Sequence, residues 1–331
     1  MTSMISSVFY FLLNMSITAT AIGLVISLLR AVKPLPRKVI YPLWGLVLLR
    51  LVLPFTFSSE ASLLNSVGSL FVKAVPVGAP VQVPIIKNFH YSALNSVQFA
   101  ESYFSKIKPP TGSLTAVLPE VTYKTQDLTN IFATASTVWI VGVCIAFAVV
   151  TILYILSTFE MRKSKHYRDN IYTSETALSP LVYGVFRHRI IIPKTLLDRK
   201  YDLKNILLHE NIHIQRHDNF IRFIAILVAC LHWFNPFVWL FLRSFLVDME
   251  ITCDSKAVSK LSKPRRKRYA ETLLTFGVER KMLLTSGFGR SNVKVRVLNV
   301  LNYKKLTWLA AIFSVLFIVT IAVLLATNPI Q

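Results

Sequence analysis

The sequence predicts a polytopic α-helical membrane protein with an inserted cytoplasmic α+β domain, and three observations lead there. The 331-residue chain is 53% hydrophobic with a mean hydropathy of +0.53, too apolar for an ordinary soluble protein. Four apolar runs are long enough to cross a bilayer, which takes about 20 residues. Between the third and fourth runs lies a long basic stretch containing His209-Glu210-Asn211-Ile212-His213.

The runs cover residues 8–29, 39–57, 132–157 and 306–326. Residues 1–57 thus read as two transmembrane helices joined by a short basic loop, and 58–131 as an extracellular loop. Residues 132–157 form the third helix, 158–305 the inserted domain, and 306–331 the fourth helix with a short outer tail. A cleaved signal peptide is not expected, because the N-terminus has neither a basic leading region nor a small-residue cleavage site before Arg30.

Charge sets the orientation. Of 37 basic and 16 acidic residues, 27 and 12 fall within 158–305, while the loop 58–130 is nearly balanced at 5 against 4. Arg30, Lys33, Arg37 and Lys38 fill the first loop. Basic segments stay on the cytoplasmic side, so both termini face outward and the inserted domain faces the cytoplasm. The cluster Pro264-Arg-Arg-Lys-Arg268 belongs to no recognised nucleic-acid-binding pattern and fits anionic lipid headgroups better. No direct nucleic-acid partner is expected; the lipid bilayer is. Cys144, Cys230 and Cys253 lie in apolar or cytoplasmic segments and imply no disulfide framework.

Within the outer loop, Ser105-Lys-Ile-Lys108 matches an S-x-x-K tetrad, but no companion motifs accompany it and it reads as chance. The inserted domain opens with β-rich segments at Ile171–Ser174, Leu181–Tyr183 and Arg189–Ile192, punctuated by Gly184 and Pro193, which suggest a small hairpin or sheet. By analogy with zinc peptidases, such a strand can offer its edge to an extended substrate. Asp202 is the expected N-cap of the helix that follows. The uncharged stretch 223–242 is long enough for a fifth span, yet Asn235-Pro236 interrupts it. It reads as a membrane-associated helical hairpin broken at Trp233-Phe-Asn-Pro236.

The H-e-x-x-H segment has no Gly or Pro, so a helix carries both imidazoles on one face, one turn apart. Two neutral imidazole nitrogens so placed can hold Zn²⁺, and Glu210 can serve as general base for a metal-bound water. The inserted domain is therefore of zincin type. A catalytic zinc usually takes three protein ligands. Asp218, Asp248, Glu250 and Asp254 are the carboxylate candidates. Glu250 and Asp254 share a helix face, so one can ligate while the other orients an imidazole, and spacing alone leaves the choice open.

Taken together, several stretches resemble the membrane metallopeptidases of the bacterial β-lactam sensor-transducer (antirepressor) class. They are Leu43-Trp44, Leu49-Arg-Leu51 with Pro54, Ser179-Pro-Leu-Val-Tyr-Gly184, Ile192-Pro193, the H-e-x-x-H with Asp218, His232-Trp-Phe-Asn-Pro236 and Glu250-x-x-Cys-Asp254. The resemblance covers nearly the whole chain. It implies His209, His213 and Glu250 as zinc ligands, Glu210 as base, and Asp254 as the carboxylate that orients a ligand. Asn211 departs from the usual hydrophobic residue without touching a ligand. Sensor-bearing members continue past the last span into an extracellular penicillin-binding domain, whereas this sequence stops at Gln331; a naturally sensor-less protein and a truncated copy both fit.

His217 is expected to be exposed, and His232 to bond around the Asn-Pro break; His90, His166 and His188 read as scattered polar residues. Arg50, inside a span, needs a partner, and contact with the peptidase domain and snorkelling to the interface both provide one. The overall expectation is a multi-pass plasma-membrane zinc endopeptidase performing regulated proteolysis in an antibiotic-resistance signalling pathway. Its substrate would be a protein, with a cytoplasmic repressor and the chain's own segment 283–292 as candidates. A separate sensor protein and a homo-oligomer are compatible partners. The alternatives are a non-catalytic signalling scaffold and a general membrane quality-control protease.

Overall fold

The computed structural model describes residues 2–31, 36–53, 97–98, 122–123, 126–177, 179–277, 293–304 and 308–326. Most of the outer loop, with Ser105–Lys108 and His90, lies outside these residues, as does the segment 283–292. Helix α1 (Thr2–Ala31) is followed by the short α2 (Arg37–Ile40), a 3₁₀ turn at Tyr41–Leu43 around Pro42, and α3 (Trp44–Val52). Two short strands, β1 (Val97–Gln98) and β2 (Thr122–Tyr123), pair antiparallel before the long α4 (Gln126–Arg162). Ile5–Ala31 and Asn130–Arg162 are long and apolar enough to cross a membrane by length and composition.

After α4 come β3 (Lys165–Arg168), β4 (Ile171–Ser174), β5 (Leu181–Tyr183) and β6 (Arg189–Pro193), in the sheet order β3-β4-β6-β5. The expected strands are present, but they are not one simple hairpin: β4 runs parallel to β6, and only β5 and β6 form an antiparallel pair. The turn at Gly184 needs its φ of +94°, and a Cβ there would strike the Arg187 carbonyl. Ile190, Ile191 and Ile192 are fully buried. Each of these side chains contributes about 2 kcal/mol of burial, which fixes the sheet under the helix that follows.

That helix, α5 (Lys200–Gln215), carries the H-e-x-x-H. Asp202 is not its N-cap. The cap position is Arg199, without a side-chain bond, and Asp202 lies in the first turn, where it accepts from Thr272 Oγ1 at 2.7 Å. A carboxylate there still complements the helix dipole. Helices α6 (Asp218–Leu231) and α7 (Pro236–Ser259) follow, separated by His232–Asn235. Then come α8 (Lys263–Gly277), α9 (Val293–Leu301) and α10 (Trp308–Ala326).

The break between α6 and α7 is built from side chains. The Asn235 carbonyl oxygen accepts from the Phe237 amide, capping α7, while its amide nitrogen donates to Ser16 and Thr20 hydroxyls at 2.7 and 2.8 Å. Trp139 donates to the Leu231 carbonyl and Trp239 to that of Trp233, so carbonyls freed by the break find donors. His232, fully buried, bonds the Leu51 carbonyl at 3.0 Å.

The largest cluster of buried apolar residues joins α1 and α3 to α6 and α7, with Ile22, Trp44 and Val47 against Val228, Phe241 and Phe245. The first helices and the helices of the inserted region therefore share one core. Arg50 is buried, and its Nε donates to Thr18 of α1 at 3.1 Å, so its partner lies in the neighbouring helix and it does not snorkel.

Candidate metal centre

His209, Glu210 and His213 are all buried, and the two histidines project from α5 toward α7. The two imidazoles meet through their Nε2 atoms, 3.0 Å apart. Glu250, on α7, brings Oε2 to 3.6 Å from His209 Nε2 and Oε1 to 3.7 Å from His213 Nε2. Donor atoms bound to one zinc at about 2.0–2.1 Å in tetrahedral array lie roughly 3.3–3.4 Å apart, so this trio has the spacing of a ligand shell.

The opposite ring nitrogens are each held by an acid. His213 Nδ1 is 2.6 Å from Asp218 Oδ2, and His209 Nδ1 is 3.1 Å from Asp254 Oδ1 and 2.9 Å from the Tyr269 hydroxyl. This is the arrangement in which a carboxylate fixes the tautomer and ring angle of a metal-binding imidazole. His213, Asp218 and the turn between them follow from one local device: His217 takes a left-handed φ of 54°, which ends α5 and starts α6 with Asp218 turned back on the motif. His217 itself is exposed.

A second trio also lies within ligand distance: His209, His213 and Cys253. The Cys253 sulfur, however, is 3.6 Å from His209 Nδ1 and 3.5 Å from the His209 carbonyl, on the side of the imidazole away from Glu250. Sulfur there competes with Asp254 and Tyr269 for a nitrogen already engaged. The Nε2 face with Glu250 is the better cation site.

Two arginines complete the polar cluster. Arg296, on α9 and almost fully buried, forks onto Asp254 at 2.6 and 2.9 Å and reaches Glu250 Oε2 at 3.2 Å. Arg222, on α6, reaches Glu250 Oε1 at 3.3 Å. Burial alone would raise the Asp254 pKa, but Arg296 and the His209 bond hold this carboxyl far below the usual carboxylate range. Burial pushes protons off His209, yet Cys253, Asp254 and Glu250 outweigh it and hold its pKa well above normal. Both imidazoles must surrender that proton to ligate.

A cavity of about 30 Å³, large enough for one water, is bordered by His209, Glu210, Tyr269, Arg296 and Pro180. Tyr269 and Arg296 are absent from the sequence reading. Each had a signal: an arginine inside the apolar run Val293-Lys-Val-Arg-Val, and a tyrosine directly after the basic cluster. Asp218 and Asp254 were named, and both lie against a motif imidazole.

The sequence model of the BlaR1 peptidase M56 family matches residues 10–300 of the chain. The chain belongs to that family. Over 186 residues it is 31% identical to the regulatory protein BlaR1 of Bacillus licheniformis, an alignment covering 53% of this chain and 31% of that protein. To the regulatory protein BlaR1 of Staphylococcus aureus it is 28% identical over 165 residues, 46% of this chain and 28% of the relative. To the methicillin resistance mecR1 protein of Staphylococcus aureus it is 25% identical over 146 residues, 41% and 25% of the two chains. These alignments span less than a third of the relatives' length. The family is one of signal-transducing metallopeptidases of the membrane, which accords with the two long apolar helices and the buried histidine cluster.

Proposed function

We propose that this M56 chain is a multi-pass zinc endopeptidase of the bacterial plasma membrane, working on the cytoplasmic side in a signalling pathway. His209, His213 and Glu250 hold the metal, and Glu210 is the catalytic base. The observation that carries this is the convergence of two Nε2 atoms and a carboxylate, each imidazole backed by an acid.

Zinc bound there supplies Lewis acidity toward a peptide carbonyl and lowers the pKa of water. The chain's own groups do the remainder. Glu210, bordering the water-sized cavity, takes a proton on its carboxylate and returns it to the leaving amine. Asp254 and Asp218 keep Nδ1 of His209 and His213 engaged, so that Nε2 faces the reaction. Arg296 and Arg222 offset the negative charge gathered around Glu250.

Substrate reaches the site from the cytoplasm. The edge of β5 is only partly open to an added strand, because Asn219 already donates to the carbonyls of Val182 and Gly184. The topology we propose has residues 8–29, 39–57, 132–157 and 306–326 in the bilayer, with the basic loop between the first two spans in the cytoplasm, 223–242 dipping into the membrane as a hairpin and both termini outside. The substrate we propose is a cytoplasmic repressor, with cleavage of the chain's own segment 283–292 as a second event.

The experiment is metal analysis and peptide cleavage by purified protein. His209→Ala should lose zinc. Glu210→Gln should keep zinc and lose activity by about 10²–10⁴-fold, as expected for a missing general base. Equal zinc loss in both would reject the role assignments; a zinc-loaded wild-type protein that cleaves nothing would make it a signalling scaffold. Fragments ending within 283–292 in wild type but absent in Glu210→Gln would establish self-cleavage.

A further inference from the structure

An open groove of about 810 Å³ lies on the side of the molecule formed by α4, the β5–β6 hairpin and α6, apart from the metal centre. Its wall along α4 is mainly apolar, from Phe147 and Val150 down to Met161 with Thr151 and Thr158 between them, and Phe223 and Leu227 of α6 line it too. Its lower rim is cationic, with Arg162, Arg187 and Arg189. No Asp or Glu lines it among the described residues. Phe186, 82% exposed, stands on the lip, and all three arginines are exposed.

The geometry points to one anionic phospholipid of the cytoplasmic leaflet as the occupant, its phosphate on the arginines and its chains along α4. Two matches carry this. First, three arginines with no carboxylate among the described lining residues favour phosphate, which can accept two parallel N–H bonds from a guanidinium. Arg162 and Arg189 now rest over the Phe159 and Tyr172 rings, and exposed as they are, they can turn to it. Second, the groove has the length of a leaflet. From Arg162 to Phe147 is fifteen residues of helix, about 22 Å at 1.5 Å per residue. Half of a bilayer including headgroups is about 20–22 Å. The change from apolar wall to arginine falls at the end of the apolar helix Asn130–Arg162, where a span leaves the bilayer. The volume is also that of a small-molecule site, about 300–1,000 Å³.

The groove is rigidly built. Tyr154 stacks on Tyr183, joining α4 to β5, and Phe186 packs on Phe220 of α6. Asn219 ties the carbonyls of Val182 and Gly184 to the first turn of α6, next to the Asp218 that holds His213. The assignment rests on α4 spanning the bilayer, which is read separately by whether the full chain resists alkaline extraction from membranes.

Native mass spectrometry of the full chain in mild detergent tests it, with phosphatidylglycerol and phosphatidylcholine of identical acyl chains. One phosphatidylglycerol should bind at least tenfold more tightly than phosphatidylcholine. Arg162→Ala/Arg187→Ala should weaken it tenfold or more, whereas Lys256→Ala/Lys260→Ala, which removes the same charge from exposed positions outside the groove, should not. Val150→Trp, filling the wall without touching charge, should also displace it and stands in if the double variant does not fold. Equal binding of the two lipids, or undiminished phosphatidylglycerol on both groove variants, overturns the proposal. So does displacement of the lipid by a soluble acidic peptide at similar concentration, which would make the groove a protein-docking site.

Discussion

Asp254, near the candidate metal centre, receives Arg296, Tyr269 and His209 at 2.6–3.1 Å while fully buried. It therefore sets the ring angle of His209 without reaching the Nε2 face. Asp254→Ala should lower zinc affinity about 10–100-fold. Glu250→Ala should empty the site, because it deletes a proposed ligand; competition against a chelator ranks the two, and the reverse ranking would exchange their roles. Tyr269→Phe keeps the buried ring and removes one of several bonds to Asp254, so its effect should be smaller than that of Asp254→Ala in the same titration. The legibility of these residues follows their spacing. His209, Glu210 and His213 share one helix, as do Glu250 and Asp254, so periodicity alone brings each group together. Tyr269 and Arg296 reach His209 across 60 and 87 residues, and no local pattern encodes such a meeting.

Among elements, the break between α6 and α7 shows how Asn-Pro works. The helix breaks around the Asn-Pro pair that the sequence indicated, with Pro236 in the first turn of α7, but the bonds of Asn235 to Ser16 and Thr20 are contacts with α1 that only the fold reveals. Asn235→Ala removes a cap worth about 1 kcal/mol and leaves those hydroxyls without that donor. Thermal unfolding of the full chain in detergent should fall by several degrees, whereas Asn235→Asp, which keeps the cap acceptor, should recover part of it. Gly142 is constrained as well, since a Cβ there would enter the Trp233 ring. Gly142→Leu should destabilise the chain more than Gly45→Leu, where nothing lies within 4 Å. The sheet was legible only as strands. Its β4–β6 pairing is parallel and non-local, and hydropathy carries no information about which strand lies beside which.

For the whole molecule, the proposed topology is checked with single cysteines in a chain lacking its own three. Those near 90 and 330 should react with an impermeant thiol reagent on intact cells, and one near 265 should not. Labelling at 265 would put the peptidase outside. Composition and charge located the apolar helices and the basic segments, but they could not show that both contribute to one core. Read from sequence, Arg30 and Arg37 were orientation signals; in the fold both approach Asp248 of α7, at 3.1 and 4.0 Å. The division into membrane anchor and inserted domain is thus a division of the chain, not of the packing. Residues 158–305 expressed alone should aggregate, with Phe241, Phe245 and Val228 stripped of α1 and α3. Co-expression with residues 1–57 should restore solubility in detergent, and recovery without them would show that the domain is autonomous.

Asp248 gives that shared core a sharper meaning. Its carboxylate is wholly buried, two residues before Glu250, and it is satisfied by Arg30 from the end of α1 and by the Trp44 indole from the start of α3. Those partners are synthesised some two hundred residues before it. If the first hairpin enters the bilayer in the wrong sense, the acid arrives to an empty berth, and an unpartnered buried charge costs about 3–5 kcal/mol. Under the proposed topology and function, correct insertion and an assembled metal centre then become a single event, so that a mis-threaded copy is also a disarmed one. Asp248→Ala should mimic the failure in correctly inserted protein, giving low zinc occupancy with unchanged thiol labelling.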